Sequence, residues 1–381
     1  MRLSQLSWRS YRNLQDAGIA PHSGLNLFVG SNGQGKTNLL SAIYWLATLR
    51  PLRAQRLREL VRWGGQECSV SGRVDRDGLS HQLHVSTDGR QRVALREGKR
   101  VAPSDYFGPL SLVAFTPRDL SLVYGAPEQR RRFLDRAIFT TQLAHLKVVL
   151  EFQRALSSRN QLIRGHAEDT LFDAYEAVLA DRGATLALSR ARYRELLAPR
   201  FQEIYREITG ESAKLLYRPA FPWPGALKGE LLGAPEAREL LEGALLECWR
   251  EGRGRDRQRG FTLRGPQQDE LTVLLGERPA RTYASQGQQR ALALALKLAE
   301  IGLLEERSGE RPVLLLDDIS SELDEDRSAA LFRFLDQFQG QRFLTTTDER
   351  YIPLSGARRC WRVHAGELSG ELGEGDGEIS D

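Results

Sequence analysis

An α/β fold, in which a mixed-sheet lobe is interrupted by a mainly helical second lobe, is predicted by three features of this 381-residue chain. First, short apolar runs alternate with turn residues near the start. Leu25 to Val29 leads into a Gly-rich turn, and Val70 to Leu95 alternates in strand fashion around Gly72, Gly78 and Gly89. Second, from Pro127 to about Leu216 the chain turns to long amphipathic stretches rich in Arg, Leu, Ala and Glu with almost no Gly or Pro, which is helix texture. Third, strand and turn texture returns at Phe261 and reaches an apolar run, Val313 to Leu316, that ends in acids.

These features predict a first lobe begun by 1–124, a helical insertion over 125–255, the rest of the first lobe over 256–365, and a tail over 366–381. Pro219, Pro222, Pro224 and Gly225 break the helical block around Trp223. A further helical piece, Pro235 to Arg250, then runs into Arg250, Arg253, Arg255, Arg257 and Arg259. The Gly/Glu tail is expected to stay disordered because it has little to bury.

With 41% hydrophobic and 27% charged residues, the chain can fill two lobes. Its formal charge is +4 although Gly366 to Asp381 holds six acids and no Lys or Arg, so the body is more basic than the total. A basic body suits a polyanionic partner and decides nothing alone. Cys68, Cys248 and Cys360 are too few and too scattered for a disulfide framework or a CxxC metal site, which points to a reducing cytoplasm. The polar N-terminus excludes a secretory signal, and Lys297 and Glu300 interrupt the most apolar helix, so no membrane span is expected.

The chemistry lies in three motifs. Gly30, Ser31, Asn32, Gly33, Gln34, Gly35, Lys36 and Thr37 form a complete GxxxxGKT between a strand-like run and a helix-like run that opens at Asn38. The glycines let backbone N–H groups curl around phosphates, Lys36 neutralises the β- and γ-oxygens, and Thr37 offers its hydroxyl to Mg²⁺. The apolar run ending at Asp317 and Asp318 reads as a buried strand delivering carboxylates to its edge. Asp317 would hold Mg²⁺ opposite Thr37, and Asp318 would polarise the attacking water. The catalytic candidates are thus Asp318, Asp317 and Lys36, and the metal candidates Thr37 and Asp317. Ala284, Ser285, Gln286, Gly287 and Gln288 then precede a long helix. Read blandly, Ser285 and Gln288 are an S-x-x-Q capping box. Read with the other motifs, Ser285 and the Gly287 N–H present a second anion-binding helix end, aimed at the γ-phosphate of ATP held by another copy of the chain. That order of motifs is the order of an ABC-type ATPase head, and it makes ATP the glue of a homodimer.

The same order resembles the RecF family, short relatives of the SMC ATPases, over nearly the whole chain. The resemblance is carried by Ser10 to Asn13, Gly30 to Asn38, Val113 to Leu120, Gln129 to Asp135, Ala284 to Arg290 and Leu314 to Asp324. It implies a weak ATPase that dimerises on ATP and Mg²⁺ and binds double-stranded, gapped or junction DNA. It also implies that RecO and RecR are partners in placing RecA. Arg12 would contact phosphate, Ser321 to Asp324 would form the cross-dimer loop, and Thr345 to Thr347 would stand at the switch. The chain departs from the family's Gly-Pro-His-Arg-Asp-like segment, having Gln267 and Gln268 before Asp269. Transporter cassettes usually have Glu at the Asp318 position and His at the switch. The shorter carboxylate predicts slow turnover, and the Thr run leaves γ-phosphate sensing to an uncharged hydroxyl.

Candidate DNA contacts are Arg53, Arg56 and Arg62 within Arg50 to Arg62, Arg130 and Arg131, and Arg255 and Arg257. With no base-reading motif visible, binding would follow backbone charge. The alternatives are an ATP-driven protein-interaction switch and a transporter-type cassette subunit, neither with a direct DNA role. The arginine-rich helical lobe and the Thr run disfavour the transporter.

Overall fold

The computed structural model describes residues 1–52, 56–165, 167–318, 325–354 and 356–372. They divide into two units, Met1–Asp119 with Leu304–Asp381, and Leu120–Leu303. Among the described residues no helix is long and apolar enough to cross a membrane.

The first unit contains β1 (Arg2–Arg9), β2 (Ala17–Ile19), β3 (Leu25–Val29), α1 (Lys36–Thr48), β4 (Cys68–Arg76), β5 (Leu79–Thr87), β6 (Arg92–Arg96), β7 (Lys99–Arg100), α2 (Pro103–Tyr106) and β8 (Leu112–Phe115). An antiparallel sheet has the order β2-β1-β4-β5-β6-β7. Its strands alternate between buried and exposed residues, as expected for a sheet covered on one face. β3 and β8 instead join a second sheet. There β3 is buried along nearly its whole length, the signature of a strand covered on both faces. Residues Leu39 to Ala47 of α1 are all buried. Leu39, Ile43 and Trp45 share one core with Leu6, Trp8 and Val70 of the antiparallel sheet and with Phe28, Leu315 and Phe343 of the second sheet. A helix apolar all round is a central helix, and the phosphate-loop motif is fastened to its N-terminus.

The second unit contains α3 (Ser121–Tyr124), α4 (Pro127–Thr141), α5 (Ala144–Arg164), α6 (Asp169–Thr209), β9 (Ala213–Arg218), α7 (Ala237–Arg259), β10 (Glu270–Leu275), β11 (Arg278–Pro279) and α8 (Ala280–Tyr283). The helix α9 (Gln286–Ser308) leads out of it. Three details correct the sequence expectation. The helical block stops at Thr209, where Gly210 takes a left-handed conformation, and Leu215 lies in a strand paired with Val273 of β10. The helix expected to end at Arg250 continues to Arg259, so the arginine run is helical. The unit extends to Leu303 rather than ending near residue 255, because Ala291, Leu292, Ala295 and Leu296 of α9 are buried in one core with Phe133 and Phe201. The signature segment therefore belongs to this unit and not to the returning first lobe.

The chain then adds β12 (Val313–Asp317), α10 (Glu325–Gln337), β13 (Arg342–Thr346), β14 (Arg358–His364) and β15 (Glu367–Leu372) to the first unit. The second sheet has the order β15-β14-β3-β13-β12-β8, with β14, β3, β13, β12 and β8 parallel. The tail expected to be disordered from residue 366 is instead structured at its start. Glu367 to Leu372 pairs antiparallel with β14, and Leu368 packs against the core.

A buried ionic network organises the second unit. Arg190 donates to both oxygens of Asp135, at 2.8 Å each, and to the Pro266 carbonyl, and it forms an ion pair with Asp269 at 3.4 Å. Asp269 also accepts from the Tyr217 hydroxyl and the Ala220 N–H. Burial pushes Asp269 up to about 6 against the pull of Arg190. At Asp135 the cost of burial is overcome by Arg190 and His145, which hold the carboxyl at about 2. Replacing Arg190 strands two buried carboxylates. Arg190→Ala should cost about 3–5 kcal/mol in denaturant-induced unfolding; a loss below about 1 kcal/mol would show that the network is dispensable.

Candidate nucleotide-binding site

The five parallel strands present their C-terminal ends along one edge, where ligands of open α/β sheets gather. The phosphate loop leaves β3 there and runs into α1. Two glycines are dictated by space. A Cβ on Gly30 would lie 2.3 Å from the Val363 carbonyl oxygen, and Gly35, with φ +117°, would bring one to 3.1 Å from Asn13 Oδ1. Ser31, Asn32 and Gly33 are exposed, whereas Gly35 and Lys36 are buried.

The loop is clasped from two sides. Asn13 donates to the Gly33 carbonyl and accepts from Asn38 Nδ2 at 2.7 Å, and Arg12 donates to Asn38 Oδ1 at 2.7 Å. Opposite, Gln34 accepts the Ala365 N–H on its side chain and the Gly366 N–H on its carbonyl. Ser10 and Arg12 both have left-handed φ, near 50°, so the chain kinks on either side of Tyr11. Tyr11 anchors the kink by stacking on Trp45 and bonding Ser41 Oγ at 2.9 Å. Among the described residues Arg12 Nε is buried without a hydrogen-bond partner, and such a donor calls for an acceptor.

Lys36 Nζ donates to the Gly30 and Ser31 carbonyls at 2.5 and 3.0 Å, curled over the loop where phosphate oxygens would compete for it. Burial lowers its pKa, and the charges of Asp318 and Asp317 work the other way. Asp317 Oδ1 accepts from Thr37 Oγ1 at 2.8 Å and from Thr345 Oγ1 at 2.9 Å. The Thr345 hydroxyl oxygen in turn accepts the Asp318 N–H at 2.9 Å. Asp318 has φ 51°, which turns the chain sharply at the strand end. Thr37 and Asp317 are hard oxygen donors. Mg²⁺ suits them because it binds through one or two carboxylates plus substrate phosphates. No group of three or more His, Cys, Asp or Glu side chains that could hold a metal ion exists among the described residues.

Sequence reasoning placed Lys36, Thr37, Asp317 and Asp318 together, and the structure brings them together. It missed that Asn13 and Gln34 hold the loop by its polar groups, for which the sequence carries no signal beyond the residue types. Of the Thr run, Thr345 serves Asp317, Thr346 is buried against the Asp348 carbonyl, and Thr347 is exposed. Ser321 to Asp324 lie outside the described residues.

In the second unit the capping box forms. Gln288 N–H donates to Ser285 Oγ at 3.2 Å, and Ser285 N–H donates to Gln288 Oε1 at 3.0 Å. Gln288 Nε2 also reaches Glu211 at 3.0 Å. Ser285 and Gln286 are exposed and Gly287 is half-buried, so this helix end faces outward. Gln267, one of the departures from the family pattern, donates to the Thr262 and Arg264 carbonyls and closes the turn before Asp269, while Gln268 is exposed.

Several proposed DNA contacts are structural. Arg130 is 4% exposed, forms a bidentate pair with Glu270 at 2.7 and 2.8 Å, and bonds the Gly125 carbonyl. Arg131 donates to the Asp269 carbonyl. Arg62 binds the Leu14 carbonyl and Asp16, and Arg257 binds Asp169 and the Ala167 carbonyl while lying over the Phe172 ring. Arg130 is thereby committed to the chain, whereas Arg62, Arg131 and Arg257 bond chain groups while remaining partly exposed. Arg56 and Arg255 are exposed, and Arg53 lies outside the described residues.

A family model for the RecF/RecN/SMC N terminal domain matches residues 2–367. DNA replication and repair protein RecF of Myxococcus xanthus is 45% identical over 376 residues, covering 97% of each chain, and its Anaeromyxobacter sp. (strain Fw109-5) counterpart is 44% identical over 97% of this chain and 99% of its own. The chain belongs to the RecF family. Solved structures of recombination mediator protein RecF agree with its fold. The ATP form has a TM-score of 0.88 at 27% identity, covering 97% of this chain and 99% of that one. The ATPrS form has 0.87 at 28%, covering 97% and 98%. An SMC head bound to the C-winged helix domain of ScpA shares the fold alone, with a TM-score of 0.55 at 13% identity over 97% of this chain and 98% of that one.

The RecF-family site generates a direct test. Removing the cation that serves the phosphates, Lys36→Ala, should weaken ATP binding by at least about tenfold in calorimetry. Unchanged affinity would refute the phosphate-loop assignment.

Proposed function

We propose that this chain is an ATP-dependent DNA-binding protein of recombinational repair that dimerises on ATP, hydrolyses it slowly with Mg²⁺, and with RecO and RecR helps load RecA at gapped DNA. The observation that carries the ATP part is the joining of Thr37, Asp317 and Thr345 beside Lys36 and the clasped loop. ATP-bound RecF structures support it. When bound, Mg²⁺ would neutralise charge developing on the phosphates, with Thr37 and Asp317 as its protein ligands. The chain's own groups do the rest. The loop orients the phosphates, Lys36 neutralises their oxygens, and Asp318, one residue beyond the strand, positions the attacking water.

The outward-facing helix end at Ser285 supports dimerisation, since its first N–H groups and hydroxyl suit the terminal phosphate of a nucleotide on a second copy. Ser285→Arg should therefore bind ATP with near-native affinity yet stay monomeric. Light scattering that shows an ATP-dependent dimer of this variant would remove the trans role of Ser285.

The DNA role is supported by the relatives, which are DNA replication and repair proteins, and by the basic chain. Affinity for duplex and gapped DNA should appear with ATP and Mg²⁺, be weak with ADP or no nucleotide, and fall steeply with salt. Binding indifferent to nucleotide in that titration would favour an ATP-driven protein-interaction switch.

A further inference from the structure

The capping box before α9 leaves half of one side chain unexplained. A box needs only a carbonyl-type oxygen on its last residue, so either Glu or Gln serves it. Gln288 spends Oε1 on the Ser285 N–H at 3.0 Å, and its Nε2 donates to Glu211 Oε2 at 3.0 Å, 77 positions earlier in the chain. A glutamate at 288 could close the box but would set a second carboxylate against Glu211. The residue present serves both neighbours.

Glu211 is itself held in place. α6 ends at Thr209, Gly210 takes φ +73°, and the Glu211 N–H then donates back to Thr209 Oγ1 at 3.1 Å. The hydroxyl of the buried Tyr205 donates to the same Glu211 Oε2 at 3.3 Å. β9 starts at Ala213 and pairs with β10, so the turn that carries Glu211 is anchored at both ends.

A carboxylate only accepts hydrogen bonds, whereas the two ends of a side-chain amide differ. Glu211 therefore dictates which way the Gln288 amide turns, with Nε2 toward the carboxylate and Oε1 toward the Ser285 N–H. Ser285 Oγ in turn accepts the Gln288 N–H at 3.2 Å, which leaves the hydroxyl proton to donate outward from an exposed residue. That proton and the first N–H groups of the helix suit an anion.

We propose that Glu211 is a positioning residue for the contact between copies: by fixing the Gln288 amide, it holds Ser285 and the first turn of α9 in the arrangement that receives the terminal phosphate of a nucleotide on a second copy. This rests on the trans role of Ser285 given above and adds the residue that prepares it. The carboxylate acts against a cost, because a negative charge beside an anion-binding helix end repels the anion. Positioning and repulsion have opposite signs, and neutral replacements of Glu211 separate them.

The test is ATP-dependent dimerisation of the full chain with Mg²⁺, followed by light scattering over a protein concentration series. ADP affinity by calorimetry accompanies it, since ADP engages the phosphate loop without the terminal phosphate. Glu211→Ala should weaken the ATP dimer by about tenfold and leave ADP affinity unchanged. Glu211→Gln, whose side-chain oxygen still accepts from Gln288 Nε2, should stay within about threefold of the parent. Gln288→Ala should weaken the dimer at least as much as Glu211→Ala, and adding Glu211→Ala to it should cost nothing more. A dimer of parent strength in Glu211→Ala overturns the proposal. So does a stronger dimer in both Glu211 variants, which would make the carboxylate an electrostatic brake. Additive losses in the double variant overturn it by showing that Glu211 acts apart from Gln288, and a matching fall in ADP affinity does so by showing a general structural role. In all four outcomes the trans role of Ser285 stands; a parent chain that stays monomeric with ATP removes that role and this proposal with it.

Discussion

The carboxylate of Asp317 is the point on which the site hangs. It is 1% exposed, and burying a charge costs heavily unless polar partners surround it. Two hydroxyls do so, Thr37 from the start of α1 and Thr345 from the end of β13. One oxygen thereby registers the phosphate loop against two neighbouring strands of the sheet. The same Thr345 hydroxyl holds the Asp318 N–H and fixes the turn that points the next carboxylate away from the strand. Parallel pairing makes this possible, since it brings the ends of β3, β13 and β12 to one edge in sequential register.

Around that point the loop is held by its own polar groups. Asn13 and Asn38 close one side and the turn at Ala365 and Gly366 closes the other. Such a cradle holds the loop in one shape through the chain's own contacts, which would lower the ordering cost of binding an anion there. The left-handed backbone at Ser10, Arg12, Asp318 and Ala365 clusters here. Each such residue costs energy that the surrounding packing and hydrogen bonds must offset.

The second unit spends its charge internally. Arg159, 0% exposed, binds Glu176, Asp256 and Thr262, and Arg190 joins Asp135 to Asp269. These arginines tie α5, α6, α7 and the turn before β10 into one arrangement, because a guanidinium fork can serve several acceptors at once. A basic composition is therefore a poor map of a polyanion surface in this chain. Arg130, Arg253 and Arg257 contribute to the net charge while serving the fold.

The sequence by itself determined the motifs that read as a nucleotide site, and the fold class. A GxxxxGKT between a strand and a helix, and an apolar strand ending in two acids, each need only local geometry, and local geometry is written in glycine spacing and apolar runs. Only the tertiary structure decided which cations are engaged, because an arginine in a basic run looks the same in sequence whether it meets solvent or a buried carboxylate far along the chain. Arg130 and Glu270 are 140 positions apart. The limits of the helical block were decided there too. Leu215 sits in a strand because Val273 pairs with it, and Glu367 to Leu372 is ordered because β14 offers an open edge. Both are long-range pairings, whose energy comes from partners that no local window contains.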